Sequence, residues 1–400
     1  MISGETILKT AESLLPDIIR IRRSIHQYPE LSYQEHKTAS LISDRLKAAG
    51  IEHVTGIAGT GIVGIIRGEA DGRGLTAALR ADMDALPVTE SAGKEYRSLH
   101  DGIMHACGHD AHVAMLLAAA LIINSHRSKL AGNVLLVFQP GEEKAPGGAS
   151  LMIASGIFER YRPDFFIAQH IAPELPSGMM GFCAGPAMAS SDEIYITVKG
   201  RGGHAARPTE YTDQIYIASE LVISLRKAVE SAGKEKAPTI LGIGKISGLG
   251  ATNVIPETVD LECTLRTFDE EWRQSAKDLI RGVASEVAAK YGVTIDVKFV
   301  EGYPVLINNE ELTARASKLC ETLAGKEKVR DIPSRMGSED FSFFAEKYPA
   351  VLYRLGSTPD GRDASHLHTS DFDIDESVMA TGSAAMAWLA LNLTTERESV

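Results

Sequence analysis

Residues 133–143 read NVLLVFQPGEE: an apolar run, a proline, and then two adjacent glutamates. An unbroken apolar run of this length fits a strand buried on both faces, as in a parallel sheet covered by helices. Pro140 breaks the run, so Glu142 and Glu143 stand just beyond the carboxyl end of the expected strand. Runs of the same texture lie on either side: GIVGIIRG (61–68), LTAALRA (75–81), VAMLLAAALIINS (113–125) and DFFIAQH (164–170). They alternate with helical spacing, which predicts a mixed, mainly parallel α/β sheet with helices on both faces.

Two amphipathic helices open the chain, over roughly residues 5–26 and 34–49, the second stopping at Gly50. From about residue 190 the texture changes. DEIYITVKG (192–200) alternates like a half-exposed strand. A helix near 212–230, strands at 239–248 and 258–268, a helix at 269–290 and a strand at 293–300 follow. That βαββαβ order predicts a ferredoxin-like α+β unit. The expected organisation is therefore a discontinuous catalytic domain, 1–188 and 302–400, interrupted by an inserted domain, 189–301.

The chain of 400 residues carries a formal charge of −12 without a basic block, which argues against nucleic acid as a partner. The longest apolar run, Val113 to Ile123, is too short to span a bilayer, and no signal-peptide core is visible. A cytoplasmic protein without membrane partners is the expectation. Cys107, Cys183, Cys263 and Cys320 are far apart, which fits neither a disulfide framework nor a zinc ribbon.

Cys107 stands out because MHACGHDAH (104–112) adds His105, His109 and His112 within nine positions. Thiolate and imidazole suit borderline-soft divalent ions, and Gly108 lets Cys107 and His109 bend around one turn. A helix beginning beside them is expected to favour the thiolate. Of the two glutamates, one can bind metal while the other moves a proton; an exposed acidic turn is the alternative. Asp82 and Asp84, after LTAALRA, are candidates to ligate, to orient a histidine, or to cap a turn. His170 closes DFFIAQH, His366 and His368 lie in ASHLHTSDF, and His204 follows a glycine pair in GRGGHAARP (200–208). Because ligands bind beyond the carboxyl ends of strands in open α/β sheets, the strand-end segments with Asp82 and Asp84, Glu142 and Glu143, and His170 are expected to converge on one crevice.

Taken in order, RADMDALP, MHACGHDAHVAMLLAAA, FQPGEE, QHIAPELPSG, VKGRGGHAARP, TNVIPE, MGSEDFSFF and LHTSDF form a pattern running from about residue 22 to 390. It resembles the N-acyl-amino-acid amidohydrolases, the hippurate hydrolase, bacterial aminoacylase and auxin-conjugate hydrolase group of dinuclear metallopeptidases. The resemblance implies a catalytic domain with two divalent ions (zinc, manganese, cobalt or nickel) and a lid domain that makes a homodimer. It implies metal ligands at Cys107, His109, Glu143, His170 and His368, Cys107 being a plausible bridge, and a general base at Glu142. It further implies oxyanion stabilisation by His204 and contacts of Asn253 and Arg266 with a substrate carboxylate. Asp84 and Asp110 are expected to support the ligands; His105 and His112 are read as packing or supporting residues. Two departures are visible: Gly141 and Lys144 flank the glutamate pair where the family usually has Ala and Gly, and ARPTEYTDQI lacks a histidine after its proline.

Residue chemistry and resemblance agree on metal-assisted amide hydrolysis, and the resemblance implies an N-acyl amino acid as the substrate. The rivals are a dipeptidase or carboxypeptidase on the same scaffold and a non-catalytic metal-binding protein.

Overall fold

The computed structural model describes residues 2–71 and 74–395. The chain divides into two units, Met1–Gly185 with Ile307–Pro333 and Asp340–Val400, and Pro186–Leu306 with Ser334–Glu339.

The first unit is built on an eight-stranded sheet, in the order Glu52–Ile57, Gly61–Arg67, Asn133–Gln139, Thr76–Asp82, Phe165–Pro176, Ala350–Thr358, Met180–Phe182, Val329–Asp331. Thr76–Asp82 runs parallel to both its neighbours, and Ala350–Thr358 runs parallel to Phe165–Pro176. The edge formed by Glu52–Ile57 and Gly61–Arg67 is antiparallel. Every residue of Thr76–Asp82 is buried, as the apolar reading requires of a central strand.

Helices Gly4–Gln27, His109–Ser125 and Val378–Leu393 pack together. The first presents a stripe of Ile7, Ala11, Ile18, Ile21 and Ile25, and Ser3 accepts the N–H of Thr6 as its cap. His109–Ser125 is buried on almost all sides, so its apolar residues need no stripe. Ile167 joins the core these helices share, whereas its neighbour Phe166 stacks on Phe344 at 4.5 Å between ring centroids. Alternate residues of one strand thus feed two layers. Among the described residues, no helix is long and apolar enough to cross a membrane.

The second unit has a four-stranded antiparallel sheet, ordered Thr239–Ser247, Thr258–Thr267, Asp192–Lys199, Thr294–Glu301, with helices Gln214–Gly233 and Glu270–Tyr291. Ile194, Ile196 and Val198 alternate inward onto those helices, whose starts are capped by Asp213 and Asp269. The unit also takes in Ser334–Glu339, a segment the sequence reading left in the larger domain. Backbone bonds hold it there: Ala189 N donates to Arg335 O at 3.2 Å and to Gly337 O at 3.0 Å.

Candidate metal centre

In the first unit, Gly108 adopts φ 87° directly before helix His109–Ser125, and a Cβ there would lie 3.1 Å from Ile171. This turn sets Cys107 and His109 against the strand that carries His170. The His109 Nδ1 donates to the carbonyl of Asp84 at 3.0 Å, and the His170 Nδ1 donates to that of Ile171 at 2.7 Å. A carbonyl only accepts, so both rings carry a proton on Nδ1, and Nε2 is the nitrogen each ring can offer to a cation. Cys107 Sγ is 3.5 Å from His170 Nε2. His368, at φ 64°, donates its N–H to Ala106 O at 2.8 Å, which brings its Nε2 to 3.3 Å from Glu143 Oε1.

Several groups of donor atoms among the described residues lie within 4.8 Å of one another, and the two that include a sulfur are Cys107, His109 and His170, and Cys107, Glu143 and His368. They share Cys107. His109 Nε2 is buried without a hydrogen-bond partner, and Glu143 Oε1 is buried without a well-directed one. Buried polar atoms are rarely left so, and nitrogen, sulfur and carboxylate oxygen atoms facing one space are the donor set a first-row divalent cation takes. The residues fit the group.

The electrostatics correct one expectation. Burial, and then the charge of Glu143, push the Cys107 thiol above its ordinary value, outweighing the helix start beside it. The thiolate therefore needs a bound cation, which deprotonates a coordinating thiol. His368 is pushed up to about 10 by Cys107 and Glu143, and His170 is driven down by burial and by His112.

Asp84, fully buried, organises the glutamate turn. Its Oδ1 accepts the N–H of Glu142 at 3.1 Å, and its Oδ2 accepts that of Glu143 at 3.0 Å and the Ser32 hydroxyl at 2.6 Å. Burial alone would raise its pKa, but His109, Ser32 and the Glu143 N–H keep it below the usual range. Glu142 Oε2 lies 4.0 Å from His109 Nε2.

Asp110 does not face the donor cluster as expected. Its carboxylate is bonded by Arg22 Nε at 3.1 Å and His26 Nδ1 at 2.8 Å, because one helical residue turns it about 100° from His109. His112 is a supporting residue: its Nδ1 donates to Asp82 at 2.6 Å and its Nε2 accepts the Ile171 N–H at 2.9 Å. With both nitrogens engaged it has no lone pair for a metal. His105 is buried, and burial pulls it down to about 4, so it is neutral.

Sequence reasoning missed the brace below the site. Arg80 donates to Asp82 at 2.6 Å, Gln139 at 2.9 Å and Asp340 at 2.9 Å, and Asp340 also accepts the Ala149 N–H at 3.0 Å. The signal was an arginine inside the apolar run LTAALRA, which demands buried partners.

The remaining predicted residues belong to the second unit. His204 is exposed, and its Nδ1 accepts the Ala206 N–H at 3.1 Å, so Nε2 carries the proton and is a donor. Val254 is its partner across a short strand pair, and the carbonyl of Asn253, the residue before, accepts the Ala205 N–H at 3.0 Å. In the stretch that lacks the histidine, the Tyr211 hydroxyl donates to Ala205 O at 3.3 Å. Arg266 lies on another strand and donates to Met336 O at 3.1 Å and Ser338 Oγ at 3.3 Å.

Residues 78–392 match the model of Peptidase family M20/M25/M40. Thermostable carboxypeptidase 1 of Saccharolobus solfataricus is 38% identical over 94% of this chain and 94% of its own. The N-acetyl-L-cysteine deacetylase of Bacillus subtilis is 38% identical over 93% of this chain and 86% of its own. A crystal structure of a dinuclear metal-binding peptidase of the M20 family from Bacillus subtilis superimposes with a TM-score of 0.83 at 31% identity, covering 96% of this chain and 99% of that one.

Proposed function

Because the chain belongs to peptidase family M20/M25/M40 and is on that ground a hydrolase, we propose that it cleaves the amide bond of N-acyl amino acids, releasing a carboxylic acid and a free amino acid. The observation that carries this reading is the pair of donor sets meeting at Cys107 beside Glu142. Two divalent ions held by Cys107, His109, Glu143, His170 and His368 would supply Lewis acidity, polarising a carbonyl and acidifying water. Zinc, manganese, cobalt and nickel all suit such a set.

The chain's own residues do the rest. Glu142 takes the proton of the attacking water at its carboxylate and returns it to the leaving nitrogen. Asp84 holds the Glu142 backbone so that this carboxylate keeps one position. The Nε2–H of His204 is the donor for the oxyanion, a contribution typically worth about 3–4 kcal/mol. Asn253 and Arg266 are the residues assigned to the substrate carboxylate. Exposed Ile215, Tyr216, Ile223, Leu249 and Val254 on the second unit support assembly as a homodimer through that unit.

The test is a metal-reconstituted screen of N-acetyl and N-benzoyl amino acids, with the freed amino acid read by mass spectrometry. Faster cleavage of unblocked dipeptides would favour the second reading, a peptidase, which the 38% identity to a carboxypeptidase keeps in view. No cleavage with any of the four metals would leave a metal-binding protein without catalysis.

A further inference from the structure

The glutamate turn is gripped at three consecutive backbone N–H groups. Asp84 takes those of Glu142 and Glu143; the third, of Gly141, goes to Glu35 Oε1 at 2.8 Å. Glu35 is fully buried at the start of helix His36–Ala48, yet its side chain caps none of that helix's N–H groups. Its Oε1 also accepts the Tyr33 N–H at 2.8 Å, and its Oε2 accepts the Thr60 hydroxyl at 2.6 Å. A buried carboxylate is costly to maintain unless its bonds do something that a local cap would not. These bonds tie three chain segments to one point, and that point is the residue before Glu142.

Around it the turn has no slack. Gly141 sits at φ 59°, where an added Cβ would lie 2.3 Å from the Tyr33 ring. The Tyr33 hydroxyl donates to Lys144 O at 2.7 Å and accepts the Gly147 N–H at 3.2 Å. Glu35 therefore fixes both the turn and, through the Tyr33 backbone, the ring that closes over it.

The geometry points to Glu35 as a positioning residue for the Glu142 carboxylate, acting by the reach of its two oxygens rather than by its charge. This rests on the reading of Glu142 as the proton carrier. Misplacing a reacting group by about an ångström costs up to about 100-fold in rate.

Charge and reach are separated by two variants. Glu35→Gln keeps the reach: its amide oxygen can take both N–H groups, and its NH2 can donate to the Thr60 hydroxyl. Glu35→Asp keeps the charge but is one methylene too short to span Gly141 and Thr60. Both are assayed as the manganese-loaded enzyme, on the N-acetyl amino acid that the wild type cleaves fastest. The expected result is a kcat within about three-fold of wild type for Glu35→Gln. For Glu35→Asp, kcat falls at least ten-fold, with KM within about three-fold and two ions still bound. In parallel, hydrogen–deuterium exchange of the peptide around residues 139–147 should speed up in Glu35→Asp alone. Overturning results are Glu35→Asp at wild-type rate, Glu35→Gln as impaired as Glu35→Asp, or a loss carried wholly by KM or metal content. If the wild type cleaves no N-acyl amino acid, the functional reading fails, while the exchange comparison still decides whether Glu35 holds the turn.

Discussion

Asp84 Oδ1 accepts the backbone N–H of Glu142 at 3.1 Å. The proposed base is thus held through its own main chain by a carboxylate whose other oxygen holds the next residue, Glu143. Asp84→Asn turns an NH2 group toward one of these N–H donors. The expected outcome is a kcat at least ten-fold lower with KM little changed. A stability loss of about 1–3 kcal/mol for the unmade bond should accompany it in denaturant titration. An unchanged kcat would detach Asp84 from the placement of Glu142.

Cys107 belongs to both donor sets, whereas His368 belongs to one. Cys107→Ser should lower the occupancy of both ions in elemental analysis, and His368→Ala should leave about one ion per chain. Equal losses in the two variants would contradict a shared sulfur.

Asp373 offers a pH test away from the donor cluster. Burial alone would raise its pKa, but Arg22 at 2.8 Å and the Tyr96 hydroxyl at 2.7 Å hold it below the ordinary range. A carboxylate so lowered stabilises the fold above its unfolded value of about 4, and that contribution fades as pH drops toward the folded value. The melting-temperature gap between wild type and Asp373→Asn should be constant from pH 7 to 5 and narrow below about pH 4. A gap that persists unchanged to pH 3 would exclude this linkage.

Gly141→Ala should be destabilising although the resembled family carries alanine before its glutamate pair. A non-glycine residue at φ 59° costs about 1–2 kcal/mol, and the Tyr33 ring, pinned by its hydroxyl, lies in the way. Calorimetry should find a melting point lower by about 3 °C or more. A rise would mean that the turn relaxes freely.

The first strand ends were legible because a buried parallel strand is apolar along its whole length and stops abruptly, as at Pro140. So was the second unit's sheet, in which Ile194, Ile196 and Val198 alternate as a half-buried strand must. His170, expected to close its strand, instead lies inside Phe165–Pro176, because the apolar run after it continues the pairing. Asp110 misled because neighbours in sequence diverge on a helix, and His109 is its neighbour. Arg80 and Asp340 are 260 positions apart, and no local pattern links an arginine in one strand to an aspartate in a distant loop. Glu35 was hidden for the same reason: ELSYQEHKT reads as a helix start, and its bond to Gly141 exists only once the sheet is assembled.

The central claim is that Glu142 moves the proton while other residues hold the metal. Glu142→Gln keeps the shape and removes the base. The account predicts that this variant retains two ions per chain by elemental analysis and binds substrate, with kcat lowered by about 100- to 10,000-fold. Turnover near the wild-type rate with full metal content would contradict it.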